Sequence, residues 1–176
     1  NQTRRLTELT NSLIMLARME EQPAAEKIDF PLSDIAQEAA ESFLALAKTQ
    51  NKTLECRIQP MISMCGDEKA LRQLITILLD NAVKYSQEGG SISLTLEKQK
   101  NSIRLSVFNT TPFLSRKSLE HLFDRFYRAD QSRNSQTGGY GLGLSIALAI
   151  VNAHRGKISA ATQDEKSLLI TVTFPA

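Results

Sequence analysis

Three stretches of this sequence place residues whose types and spacing suit work on a phosphorylated ligand. The first is Asp80-Asn81-Ala82-Val83-Lys84-Tyr85. Asn81 falls among Leu78, Leu79 and Ala82, at the edge of an apolar helical stripe. An amide is costly there unless something bonds it. Its carbonyl suits Mg2+, an oxygen-seeking cation commonly shared with phosphates, and Lys84 is close enough along a helix to face a phosphate. A capping or purely structural amide is the competing reading. The second stretch is Gly138-Gly139-Tyr140-Gly141-Leu142-Gly143-Leu144, four glycines within six residues at the head of a helical pattern. Glycines allow close backbone approach, and the free N–H groups of a helix start attract anions. A flexible hinge is the alternative. The dinucleotide pattern G-x-G-x-x-G is not met, no strand directly precedes the turn, and no Walker lysine follows. The third is Leu122-Phe123-Asp124-Arg125-Phe126-Tyr127-Arg128. Phe123 and Phe126 are spaced to grip a core while Arg125 and Arg128 face outward, as ordinary packing or as the anchor of a lid. Arg133 could reach a phosphate or simply be solvated.

Other chemistries find little material. His121 lies in a polar stretch, and His154 closes a helix, where a cation suits the dipole. No nucleophile–histidine–carboxylate arrangement, H-E-x-x-H motif or nucleophile elbow is present. Cys56 and Cys65 stand nine apart with no second pair, which excludes a zinc ribbon. They read as reduced thiols, with one disulfide as the alternative. With 21 basic and 19 acidic residues the net charge is +2, too balanced to draw nucleic acid by charge alone.

These residues need a scaffold, and 176 residues suffice for one domain with a short appendage. A hydrophobic fraction of 41% fits a packed core and excludes global disorder. No apolar run approaches the length of a membrane span, and no signal peptide opens the chain. The opening Asn1-Gln2-Thr3-Arg4 reads as a cut through something longer. Residues 4–21 carry Leu6, Leu9, Leu13 and Leu16 in a heptad-like stripe that needs a partner. They form either a helix packed on its own domain or the stub of a dimerising hairpin. Their place ahead of the α/β rhythm favours the stub. Pro23 marks a break.

Residues 27–32 suggest a short strand ended by Pro31. Ser33 or Asp34 would then cap a helix to about Thr49, with Ile35, Ala39, Phe43, Leu46 and Ala47 on one face. Strands follow at 53–58 and 62–64. Residues 67–85 give the clearest helix, with Asp67 as N-cap and Leu71, Leu74, Ile75, Leu78, Leu79, Ala82 and Val83 at the helical period. Strands at 91–97 and 103–108 flank a turn at Lys100-Asn101. Periodicity then weakens until 139, apart from a short helix at 118–123, and long irregular stretches are often functional. A helix at 141–154, with Leu142, Ile146, Ala149, Ile150 and Ala153 inward, and strands at 157–162 and 168–174 complete the chain. The pattern predicts an α+β fold: a two-layer sandwich of one mixed, mostly antiparallel sheet with helices on one face.

In this order the pieces resemble the catalytic, ATP-binding domain of bacterial sensor histidine kinases, within the superfamily of gyrase-type ATPases, Hsp90-type chaperones and MutL repair proteins. The stretch from Leu71 to Tyr85 resembles the asparagine box, with Asn81 at its Mg2+-binding asparagine and Lys84-Tyr85 at its basic–aromatic end. Residues 122–128 resemble the phenylalanine box in its Phe-x-Arg-Phe-Tyr-Arg form. Gly139-x-Gly141-x-Gly143, with Leu142 and Leu144, resembles the second glycine box, and Asp130-Gln131-Ser132-Arg133 fits the stretch before it. The resemblance covers residues 27–174. It implies the histidine-kinase ATPase-type (Bergerat) fold over 23–176, with a lid at about 110–138. Residues 1–22 look like the end of the dimerisation and histidine-phosphotransfer hairpin.

The resemblance implies that ATP and Mg2+ are bound, with Asn81 on the metal. Asn81, Lys84, Tyr85, Asn109, Arg128, Gly139, Gly141, Leu142, Gly143 and Leu144 would contact the nucleotide. It implies no catalytic residue in this piece, because the acceptor histidine and its neighbouring carboxylate belong to the rest of the hairpin. Neither His121 nor His154 would be the acceptor. Two boxes depart from the family pattern. Asn109-Thr110-Thr111-Pro112-Phe113 aligns without a gap to the first glycine box, Asp-x-Gly-x-Gly. Asn109 thus replaces the adenine-reading aspartate with an uncharged acceptor. Thr111 and Phe113 replace both glycines, and their Cβ atoms are expected to restrict the backbone or fill nucleotide space. In the asparagine box, Ile77 replaces the earlier asparagine.

The function so implied is a protein-histidine kinase in two-component signal transduction. The γ-phosphoryl of ATP would pass to a histidine on the hairpin and then to a response regulator. The partners would be the chain's own hairpin in a homodimer and a receiver domain, with no nucleic acid. The piece would be soluble and cytoplasmic and its parent a phosphoprotein at the bacterial membrane. The alternative is a pseudokinase-like module that binds no nucleotide and signals by docking. A gyrase-type ATPase would need a glutamate at the head of the asparagine-box helix, where Asp67 and Glu68 stand, but the phenylalanine box points to the kinases. An anti-sigma-factor kinase would lack that box and the leading helix.

Overall fold

The computed structural model describes residues 2–21, 27–127 and 142–176. Along the chain these form α1 (Gln2–Glu21), β1 (Ile28–Pro31), α2 (Leu32–Thr49), β2 (Thr53–Ile58), β3 (Ser63–Gly66), α3 (Glu68–Tyr85), β4 (Ser91–Gln99) and β5 (Ser102–Thr110). After these come α4 (Arg116–Leu119), α5 (Gly143–Ala153), β6 (Lys157–Ala161) and β7 (Ser167–Pro175). Five strands make one sheet in the order β2-β4-β5-β7-β6, while β1 and β3 pair separately. Within the larger sheet β2 runs parallel to β4 and every other neighbour is antiparallel.

Alternation along the strands decides which side of this sheet is covered. In β5, Ile103, Leu105, Val107 and Asn109 are buried while the residues between them are not. The outer side carries Thr95, Ser106, Thr171 and Ser159 in register across four strands. That row of hydroxyls can face water, so the helices lie on the other side. Leu71, Leu74, Ile75, Leu78 and Leu79 of α3 are fully buried, as are Leu94, Leu105 and Val172 of the strands. The two-layer α+β sandwich expected from the pattern is the fold observed.

Helix α3 is held at both ends. The Asp67 carboxylate accepts from Ala70 N, so the expected cap is present. At the other end Lys52 Nζ donates to Val83 O, and partial burial pulls the ammonium pKa down. Helix α2 starts differently from expectation. It leaves β1 at once, with Pro31 in the cap position and no side-chain cap. Ser33 sits inside the first turn, where its hydroxyl donates to Gln59 O (2.7 Å) and accepts from Ile62 N (2.8 Å). Leu46 is exposed, and Ala36, Ala40 and Ala47 join Ile35 on the buried face. The short helix comes two residues early, because Ser115 rather than a later residue caps it, accepting from Ser118 N. The last helix begins at Gly143, not at 141.

Helix α1 packs on α5. Leu16 is buried, and Leu9 and Met15 pack partly against the core, while Leu6, Leu13 and Ile14 stay exposed. The helix therefore satisfies one apolar edge on its own domain and leaves a second in water. Among the described residues no helix is long and apolar enough to cross a membrane.

Candidate nucleotide site

Helices α3 and α5 lie side by side and antiparallel. Their ends set the direction: Asp67 N, at the start of α3, donates to His154 Nε2 at the end of α5. At the opposite end a Cβ placed on Gly143 would lie 3.5 Å from Ile77 Cγ2. Asn81 is one turn beyond Ile77 on the same face, about 6 Å further along the axis. It is half-buried, and its side-chain amide makes no hydrogen bond among the described residues. The start of α5 is equally open. Leu142, in the cap position and buried, offers no side-chain cap, and the first turn holds no acidic residue. Its amide N–H groups and the positive end of the helix dipole therefore face the neighbourhood of Ile77 and Asn81 with no side-chain acceptor among the described residues. Leu144 is half-buried and packs on the core. A side chain at 143 would meet Ile77 at ordinary contact distance, so packing among the described residues does not require glycine there.

The remaining predicted residues are placed less simply. Lys84 is not an isolated cation: Nζ lies 2.9 Å from Asp80 Oδ2, one turn back. Tyr85 ends α3, half-buried. Asn109 is 2% exposed on the helix-facing side of β5, and its Nδ2 donates to Thr110 O at 3.1 Å. That bond leaves Oδ1 as the acceptor not engaged among the described residues. Arg128, Gly139 and Gly141 lie outside the described residues, as does Arg133.

The expectation that Thr111 and Phe113 would strain the backbone is not met. Neither has a positive φ. Thr111 N donates to Lys166 O and Leu114 N to Glu165 O, so the segment continues the pairing of β5 with the turn before β7 and needs no glycine. Phe113 projects into solvent. Residues 110–122, assigned to the lid from sequence, are anchored further by Arg116, which donates to Thr162 O and Gln163 O, and by buried Leu114 and Leu122. Phe123 packs partly on the core, but Phe126 is 58% exposed with a left-handed φ of 65°, so only the first of the pair grips.

The histidines depart from expectation in one case. His154 is not a cation for the helix dipole: its Nδ1 is 2.8 Å from Ile150 O, and its Nε2 accepts from Asp67 N. An acceptor nitrogen carries no proton, so the ring is neutral. His121 is exposed and meets Asp124. Both cysteines are free. Burial, and then the Glu55 carboxylate, push the Cys56 thiol above the usual thiol range. Two other groups are displaced outside the site: Arg72, raised by Glu38 and Glu68, and Asp164, lowered by the Lys166 N–H and the Ser167 hydroxyl. Among the described residues no cluster of three or more His, Cys, Asp or Glu could hold a metal.

Residues 66–176 match the family described as histidine kinase-, DNA gyrase B-, and HSP90-like ATPase. The chain belongs to this ATPase family. Among curated proteins it is 34% identical over 171 residues to the signal transduction histidine-protein kinase BaeS of Escherichia coli (strain K12), covering 97% of this chain and 37% of that protein. It is 33% identical over 176 residues to the sensor histidine kinase RppB of Synechocystis, covering 99% and 39%. The chain thus spans well under half the length of these relatives. The catalytic domain of the histidine kinase ThkA superposes with a TM-score of 0.74 at 24% identity, covering 86% of this chain and 96% of that one. The Acinetobacter baumannii histidine kinase AdeS gives 0.80 at 21%, covering 99% and 80%. At these identities the structural likeness is one of fold. The ATPase family matches from the end of β3 onward, so it includes α3, α5 and every described residue of the candidate site.

Proposed function

We propose that this chain is the ATP-binding catalytic part of a sensor histidine kinase. In the longer protein it passes the γ-phosphoryl of ATP to a histidine on a dimerisation hairpin, from which a response regulator takes it. The observation that carries this reading is the pairing of Asn81, half-buried with an unengaged amide, with the uncapped start of α5 near the same face of α3. These groups fit a phosphate and its cation. Asn81 would hold Mg2+ through its carbonyl, and the metal would neutralise phosphate charge. The N–H groups at Gly143 and Leu144 would bind phosphate oxygens, Lys84 would exchange Asp80 for phosphate, and Asn109 Oδ1 would accept from the base. Tyr85 and Leu142 would line the site, with Arg128, Gly139 and Gly141 completing it. Kinship with proteins named sensor histidine kinases supports the reaction class. The histidine kinase ThkA has been solved with the response regulator TrrA, which supports a receiver domain as the partner here. The parent would be a membrane-attached homodimer.

Calorimetric titration with a non-hydrolysable ATP analogue, with and without Mg2+, tests the proposal. Saturable, Mg2+-dependent binding that is lost in Asn81→Ala is expected. No binding at millimolar analogue would sink the kinase reading and leave a docking module, the reading that the missing carboxylate at 109 favours.

A further inference from the structure

One imidazole joins the end of α5 to the start of α3. His154 Nδ1–H donates to Ile150 O within its own helix (2.8 Å), and Nε2 accepts from Asp67 N (3.0 Å). The two partners together assign the tautomer. The ring packs edge-on to Phe174, with centroids 6.1 Å apart. It also occupies the space that Gly66 leaves empty: a Cβ on Gly66 would lie 2.5 Å from His154 Cδ2 and 2.7 Å from Nε2. Glycine is required at 66 by this close approach. Asp67 serves both helices, since its carboxylate caps α3 through Ala70 N while its own N–H holds α5.

We infer that His154 is a positioning residue for the nucleotide site. Among the described residues it contacts none of those assigned to the nucleotide. Its effect runs through α5, which extends about 16 Å from the joint to Gly143 at 1.5 Å per residue. A helix pinned at one end and packed through buried Ile146, Ile150 and Val151 has its other end fixed in place. At that other end the open N–H groups of Gly143 and Leu144 face the region of Ile77 and Asn81. Freeing the pin lets α5 tilt or slide on α3, and the phosphate-facing amides move relative to Asn81. A side chain at 154 must donate to one carbonyl and accept from one amide at once, which neutral histidine does and lysine or arginine cannot. The inference rests on the nucleotide-binding reading given above.

The test uses the full chain with His154→Ala, His154→Gln, Gly66→Ala and the His154→Ala/Gly66→Ala double variant. Leu96→Ala, a core change on β4, serves as the control. Two readouts are taken: the NMR resonances of the Asn81 side-chain amide and the Gly143 N–H without nucleotide, and the affinity for the Mg2+-bound ATP analogue. His154→Ala should move both resonances and weaken binding about fivefold, a coupling of the size seen for residues that contact no ligand. Gly66→Ala, which displaces the ring, should do the same. The double variant should be no weaker than the weaker single one, because both act through one ring. His154→Gln, which keeps a donor and an acceptor, should recover most of the affinity. Leu96→Ala should lower the melting temperature and leave both readouts alone. Unmoved resonances in His154→Ala would overturn the inference, and so would moved resonances with unchanged affinity. An unmodified chain that binds no analogue would overturn the kinase reading instead, and the resonances would then decide alone whether the joint sets the helix ends.

Discussion

Asn109 sits on the central strand of the sheet, opposite Ile92 and Leu168. In that setting an amide does something a carboxylate cannot: Nδ2 donates to Thr110 O. Asn109→Asp would remove the donor and set an acceptor against that carbonyl in a position only 2% exposed. A buried acceptor without a partner costs about 1–3 kcal/mol. The variant should therefore melt below the parent when no nucleotide is present. Adenine carries an amino donor, so the ATP analogue should raise the melting temperature of Asn109→Asp more than that of the parent. Equal melting without nucleotide would contradict this account of the amide. The position of Asn109 was legible from an ungapped alignment to the first glycine box. The relaxed backbone of Thr111 and Phe113 was not, because it is set by Glu165 and Lys166, some fifty residues further on.

At the scale of the element, α3 shows what a sequence can specify locally. Its stripe, its Asp67 cap and the place of Asn81 on its edge depend on residues within the helix, and all could be read. The start of α2 could not. A serine near a helix start suggests a cap, yet Ser33 bonds Gln59 O and Ile62 N, which the chain brings close only after folding. The same long-range dependence explains Leu46, which stays 39% exposed although it shares a helical face with partly buried Phe43. Ser33→Ala should be costly for its size. It leaves a buried N–H and a carbonyl unpaired, so urea unfolding should report a loss of about 1–3 kcal/mol. Ser42→Ala removes an exposed hydroxyl that donates to Glu38 O of its own helix and should stay within about 0.5 kcal/mol of the parent. Equal effects would mean that the Ser33 bridge does not hold the α2 start to the loop before β3.

The whole molecule is one-sided twice over. The sheet has helices on one face and hydroxyls on the other, and α1 has one apolar edge on α5 and another in water. The first asymmetry is self-consistent, since Thr and Ser are at ease in solvent. The second is not, because Leu6, Leu13 and Ile14 are 60%, 39% and 47% exposed along one side of a single helix. An apolar stripe of this kind gains by meeting another. On the kinase reading its partner is a second copy, through a helical hairpin of which α1 is the end. From the sequence, residues 4–21 read as the stub of a dimerising hairpin rather than a helix packed on its own domain. The structure shows packing on its own domain through Leu16, and the exposed stripe is available for dimerising. Sedimentation velocity of this chain should then show self-association that grows with concentration. The double substitution Leu13→Glu and Ile14→Glu should abolish it without unseating α1, because neither residue is buried against the core. Leu16→Ala should act the other way, costing roughly 2–5 kcal/mol of stability as a large-to-small core change while leaving the exposed stripe intact. A parent chain that stays monomeric at every concentration would count against a second copy as the partner of this stripe.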